Sequence, residues 1–341
     1  MVHLERASRE LYRRGPDERF ATLADLSRHC REQREASADR WQPPPNLRVE
    51  PREGGLQLVA GNDGVFRLND WSFGQLCGLA QIAKETVNRL APTTAAQVFA
   101  ETLRPRGTKP LQLLTYGDGL RSVHGTGYTR LWNQELLHVV QEFAVDFTPP
   151  QVGRNGATGL YAGEQDLFAF LIDPTGWAEI NGQAFAPGFF VWNSEVGKRS
   201  LGVSTFWFQQ ICGNHIVWDA VDVIEFTRKH TARVHESLGE VRRAIEQLVV
   251  RRDERRDGFV NTIRRAMSAR LGDDADELDR WIARQGLPRA LVARALALAR
   301  EQGSLTIFTL VDALTRLSQE EPYAAGRTAA DAAAARLLET V

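Results

Sequence analysis

Lysine is nearly absent from this chain of 341 residues: four stand beside 38 arginines. Its cationic surface is therefore built from planar guanidinium forks, which suit phosphate and carboxylate. Cysteine is almost as scarce. Cys30, Cys77 and Cys212 are widely spaced and odd in number, which excludes a disulfide framework and leads us to expect a reducing, cytoplasmic setting. No apolar run approaches the ~18 residues of a membrane span, and the opening MVHLERASRELYRR has no apolar signal core. Charge of one sign is also missing, since 42 Lys+Arg against 43 Asp+Glu leave a net of −1. That excludes a uniformly basic nucleic-acid coat and permits a local patch.

Familiar catalytic motifs are missing too. There is no G-x-S-x-G elbow and no H-E-x-x-H pair. Gly197-Lys198-Arg199-Ser200 looks like a phosphate loop, but position 192 is Trp instead of the first glycine, and Arg199 separates Lys from Ser. No cofactor and no reaction are indicated.

What is present is a layout. Leu4, Leu11, Phe20, Leu23 and Leu26 recur at roughly helical spacing, so the first forty residues read as helix, and residues 1–42 form an amphipathic arm. Pro43-Pro44-Pro45 ends it. Short strands follow at 47–49, 56–60 and 65–68. Asn69 or Asp70 then caps a helix through Trp71, Phe73, Leu76 and Leu79. Gly117-Asp118-Gly119 between two apolar runs marks a hairpin. The apolar run Leu167–Ile172 and the stretches 177–180, 189–192, 201–211, 215–218 and 221–226 are strand-like, and tight turns between them imply antiparallel pairing. From about 229 onward the periodicity is helical, ending in an Ala-rich tail at 328–338. The expectation is an α+β fold: a central antiparallel sheet with packed helices over 46–228, followed by an all-helical C-terminal region over 229–341.

Two features could carry function. The first is polar: Asn193, Ser194 and Glu195 interrupt one aromatic strand, and Cys212, Asn214 and His215 end the next. Burying such groups unpartnered costs ~1–3 kcal/mol each, so they are hydrogen-bonded architecture or a site. Cys212-x-x-His215, with His230 beyond, is half of a zinc pattern whose missing ligands would be carboxylates such as Asp166 or Glu195. The second is basic: residues 228–270 hold 12 Arg/Lys against 6 acidic residues. Arg228, Lys229, Arg242, Arg243, Arg251, Arg252, Arg255, Arg256, Arg264 and Arg265 suit a phosphate backbone, or equally a solvated, self-neutralising helix face. Trp192, Trp207 and Tyr128 are the aromatics that could stack on bases.

Several segments together resemble a known family: Trp71–Cys77, Tyr116–His124 with Tyr128, Gly163–Phe168, Gly188–Gly197, Ile211–Trp218 and Arg228–Thr231. They are similar to the phage/plasmid-like proteins, a domain of unknown function on mobile elements and in prophages. The resemblance runs from about residue 46 to the C-terminus, including Phe308–Thr315, and fits the N-terminal arm less well. It implies a mobile-element context and brings no reaction. It places Asn193, Ser194, Glu195, Cys212 and Asn214 in the family's core, with Asp166, His215 and His230 in the same matching segments. A remote, fold-level similarity to single-strand annealing proteins accompanies it. Three functions stand open: a non-enzymatic, oligomeric binder of single-stranded DNA or other nucleic acid; a metal-assisted hydrolase or nuclease using Asp166, Asp173 and Glu195; and a homo-oligomeric assembly module built on helices 290–341.

Overall fold

A computed structural model describes residues 18–103, 109–150, 152, 158–180, 183–211, 214–218, 225–271, 278, 289–301, 303–320 and 337. Thr22, whose hydroxyl accepts from the Asp25 amide at 3.0 Å, caps α1 (Leu23–Glu35). At Ala36 the helix stops, and Ser37–Gln42 is strand β1 rather than more helix. The reason is tertiary. Every residue of β1 pairs with β5 (Leu111–Tyr116), Ser37 opposite Tyr116 and Gln42 opposite Leu111. Partners this distant override a local helical pattern.

The α+β class and the helical C-terminal region hold, and the strands divide between two sheets. The first runs β1–β5–β6–β4–β3–β2, with β2 (Leu47–Arg52), β3 (Gly55–Ala60), β4 (Val65–Leu68) and β6 (Gly119–His124). Its β4–β6 pair is parallel, which the chain allows because three helices intervene. These are α2 (Asp70–Ala80), α3 (Lys84–Val87) and α4 (Pro92–Thr102). Asn69 and Ser72 form a reciprocal capping box at the start of α2. One core joins Leu58, Phe66, Leu113 and Leu120 of the sheet to Leu76 of α2 and Phe99 of α4.

After α5 (Asn133–Gln141) comes the second sheet, with seven strands among the described residues. Its spine is the antiparallel pair β10 (Gln183–Asn193) and β11 (Leu201–Ile211). Two short strands share each outer flank. β8 (Leu167–Ile172) and β9 (Ala178–Ile180) line β10, while β12 (Asn214–Trp218) and β13 (Glu225–Arg228) line β11; β7 (Leu160–Ala162) pairs with β8. Every residue of β8 is buried, as an uninterrupted apolar run requires. One face of this sheet packs Leu171, Phe189 and Val203 against Leu26 of α1, Leu136 of α5 and Ile245 of α6 (Ser237–Val250). The other face is aromatic, holding Phe168, Phe170, Phe190, Trp192, Phe206 and Phe208.

Two glycines make room for that aromatic face. Gly202 lies opposite Trp192 and Gly188 opposite Phe206 in the β10–β11 register. A Cβ on Gly202 would fall 2.1 Å from the Trp192 ring, and one on Gly188 2.8 Å from Phe206. Each large ring thus lies across a bare backbone on the facing strand. The far end of the spine joins the helical region of α7 (Arg252–Ser268), α8 (Arg289–Glu301) and α9 (Ile307–Glu320). There Trp207 stacks on Phe259 with ring centroids 4.0 Å apart. Apart from buried Leu337, the Ala-rich tail lies outside the described residues.

Candidate functional site

The polar stretch after β10 is a buried loop held from three directions. Glu195 is 1% exposed. One carboxylate oxygen accepts from Arg121 Nη1 at 2.8 Å, the other from the Asn133 amide at 2.9 Å. Its carbonyl accepts from Arg130 Nη1 and from the Tyr128 hydroxyl, the latter at 2.9 Å. Asn193 donates to the Leu131 carbonyl at 2.9 Å and to Asn133 Oδ1 at 2.8 Å. The Ser194 hydroxyl donates to the Gln165 carbonyl and accepts from the Lys198 amide at 2.9 Å. The Val196 carbonyl accepts from Trp71 Nε1 at 2.8 Å and lies 3.1 Å from His124 Nε2. Arg130 also holds Asp39 of β1, Nη2 to Oδ1 at 2.7 Å. The loop is therefore the fastening between the two sheets: β1, β6 and α2 belong to the first, and β10 to the second.

The three candidate carboxylates do not share a pocket. Asp166 and Glu195 lie at one end of the β8–β10 pair, but each faces its own arginine, Asp166 meeting Arg199 Nε at 2.6 Å. Asp173 lies beyond the other end of β8, some ~20 Å away at ~3.3 Å per strand residue. There it accepts from the Thr175 and Gly176 amides at 2.9 and 3.0 Å and pairs with Arg252. Among the described residues, no group of three or more His, Cys, Asp or Glu could hold a metal. Cys212 lies outside the described residues. Asn214 and His215 are described only by backbone register on β12, opposite Ile211 and Gln210. The zinc pattern therefore has no described metal-ligating set beside it.

His230 joins a different arrangement. It stacks on Tyr128 at 5.4 Å, and Tyr128 stacks on His124 at 3.7 Å with ring planes 10° apart. Gly197, with φ of +72°, lies against this stack, and a Cβ there would come within 2.7 Å of His124. Burial is the main cause that lowers both imidazoles from the ordinary value near 6.5 to about 4, and the Arg130 charge adds to it. Burial likewise pushes the Tyr128 phenol up. Both imidazoles of the stack are therefore neutral at neutral pH.

The basic residues divide into two groups. Arg228 pairs with Glu240, Arg242 with Glu142, Arg251 with Glu254, Arg252 with Asp146 and Asp173, and Arg256 with Asp253 and Asp257. Arg255 is buried. Lys229, Arg243, Arg264 and Arg265 are exposed and face no carboxylate within ion-pair distance among the described residues. Trp192 and Trp207 are core side chains at 1% exposure, and Tyr128 is enclosed between two histidines. Among the described residues the open aromatics are Trp41 and Tyr116, 47% and 48% exposed.

Sequence reasoning picks out Glu195 and misses its partners Arg121, Arg130 and Asn133. The available signal is one arginine adjacent to a leucine in each of two short stretches, Leu120–Val123 and Thr129–Trp132, and it acquires meaning only once burial is known, because a buried charge demands a counter-charge. Compared with known proteins, the chain matches no family model, no curated protein and no solved structure.

Proposed function

We propose that this chain is a non-enzymatic, nucleic-acid-associated protein of the phage/plasmid-like family, binding single-stranded DNA through the helical region as an oligomer. One observation carries the reading: Lys229, Arg243, Arg264 and Arg265 are exposed and face no carboxylate in the described surface. Around them, Arg228, Arg242, Arg251 and Arg256 sit in surface pairs with exposed or half-exposed carboxylates. Such pairs hold weakly in water, and a phosphate can displace the carboxylate at little cost. The candidate catalytic carboxylates, by contrast, are each committed to an arginine, which supports binding over chemistry.

The test is anisotropy of a labelled single-stranded oligonucleotide across a salt series. If four cations each meet one phosphate, the slope of log K against log salt is about −3, at roughly −0.7 per phosphate for single strands. Changing Lys229, Arg243, Arg264 and Arg265 together to Glu abolishes binding. No binding by the parent chain at ~50 mM salt, where such contacts are strong, overturns the reading. Mass photometry with and without the oligonucleotide tests the oligomer.

A further inference from the structure

Two hairpin turns and the end of β4 converge at one edge of the first sheet. Arg52 and Gly55 close the β2–β3 turn, Gln57 lies opposite Arg67, and Arg67 opposite Gly119, which ends the β5–β6 turn beside Tyr116. This register delivers Arg52, Arg67 and Tyr116 to an open cleft of about 830 Å³. Small-molecule sites occupy ~300–1,000 Å³. The cleft is also lined by the half-buried apolar side chains Phe73, Leu90, Leu56 and Leu68, and by two carboxylates, Asp70, which is paired with Lys84, and Glu164, which accepts from Asn69. At the hairpin tip Gly54, with φ of +73°, has open space where a Cβ would be, so the turn does not obstruct the cleft.

The charges at this edge are available. Arg52 makes no ion pair with the described residues, and its Nε donates to the adjacent Glu53 carbonyl at 3.4 Å. Arg67 pairs with Asp118, and the two side chains are 59% and 64% exposed, so water already weakens the pair. Asp118 is held below the usual carboxylate range chiefly by its hydrogen bond to Arg67, and the Arg52 charge also reaches it. Two guanidinium groups therefore act at one place, where an anion with more than one charged oxygen can bridge them. Beside them lie an exposed aromatic ring and apolar side chains. A ligand matching the arginines and the apolar wall has a flat apolar body and a multiply charged oxyanion, and hydrogen-bond donors on that body suit Asp70 and Glu164.

We infer that this cleft binds a nucleotide unit, its base against Phe73 and Leu90 with Tyr116 stacked upon it, and its phosphate on Arg52 and Arg67. A monocarboxylate brings two oxygens and a single charge to the two arginines, whereas a phosphate monoester brings three oxygens and nearly two charges. The unit is either a free nucleotide or the end of a nucleic-acid strand, and only the second source rests on the function proposed above.

Calorimetry of the full chain tests this with a nucleoside monophosphate, the matching nucleoside, inorganic phosphate and a short single-stranded oligonucleotide. The monophosphate binds, and the nucleoside and phosphate each bind at least tenfold more weakly. Arg52→Ala weakens the monophosphate roughly tenfold or more, as expected for a lost charged hydrogen bond. Asp118→Asn tightens it severalfold by releasing Arg67, a gain that misfolding cannot produce. Competition between oligonucleotide and monophosphate identifies the strand end as the source, and its absence identifies the free nucleotide. Failure of the monophosphate to bind at millimolar concentration, or binding indifferent to both substitutions, overturns the inference. An oligonucleotide that still binds through the helical cations leaves the proposed function standing when the cleft fails.

Discussion

Removing the Glu195 carboxylate strands Arg121, whose side chain is only 9% exposed. A buried ion pair adds little net stability, yet deleting one partner costs ~3–5 kcal/mol because the other charge stays desolvated. Glu195→Ala therefore lowers unfolding free energy by about that amount in urea titration. Glu195→Gln, which keeps an acceptor for the Asn133 amide, loses less. A change below ~0.5 kcal/mol, the ordinary range for surface sites, would show that the loop is not the fastening described. At this scale legibility is uneven. Glu195 stands out because a carboxylate follows an aromatic strand. Its partners lie 74, 65 and 62 residues earlier, and no local pattern couples positions so far apart.

Among the elements, the β10–β11 pair depends on two absent side chains. Gly202→Ala puts a methyl group inside the Trp192 ring, an overpacking that costs ~1–3 kcal/mol. Trp192→Leu in the same chain recovers part of that loss, and a double-mutant cycle in urea reads the coupling directly. Additive effects would mean that the ring does not use the glycine. Most elements could be read from local chemistry. The Asn69 cap, the Asp-Gly hairpin and the run at 167–172 each carry their own signal, and their boundaries fall within a few residues of the periodicity. β1 could not be read, because its hydrogen bonds come from β5, as in the contact of Arg40 with Thr115, 75 residues later. The partition of the strands into two sheets is hidden for the same reason, since pairing is a property of partners.

For the whole molecule, the stack of His124, Tyr128 and His230 spans the junction of the sheets. His124 ends β6 of the first, and His230 follows β13 of the second. Folded, both imidazoles take up a proton only near pH 4, whereas the unfolded chain takes it up near 6.5. The unfolded state thus binds more protons between these values, and stability falls as pH drops from 6.5 to 4. The loss is up to roughly 3 kcal/mol per ring, at 1.36 kcal/mol per pH unit. Urea midpoints measured across this window fall steadily, and His230→Gln removes part of the slope. A flat profile from pH 6.5 to 5, above the range in which most carboxylates titrate, would contradict the buried, neutral stack.

The position of α1 and β1 also bears on time. Arg34 on α1 reaches Gln134 of α5, 100 residues later, and the Phe20 amide bonds the Leu160 carbonyl. β1, immediately after α1, waits for β5. During synthesis these earliest described elements leave the ribosome well before β5, α5 and β7, to which they pair and pack, have been made. Chains are extended at roughly 5–20 residues per second, so β1 spends several seconds without the strand that completes its hydrogen bonds.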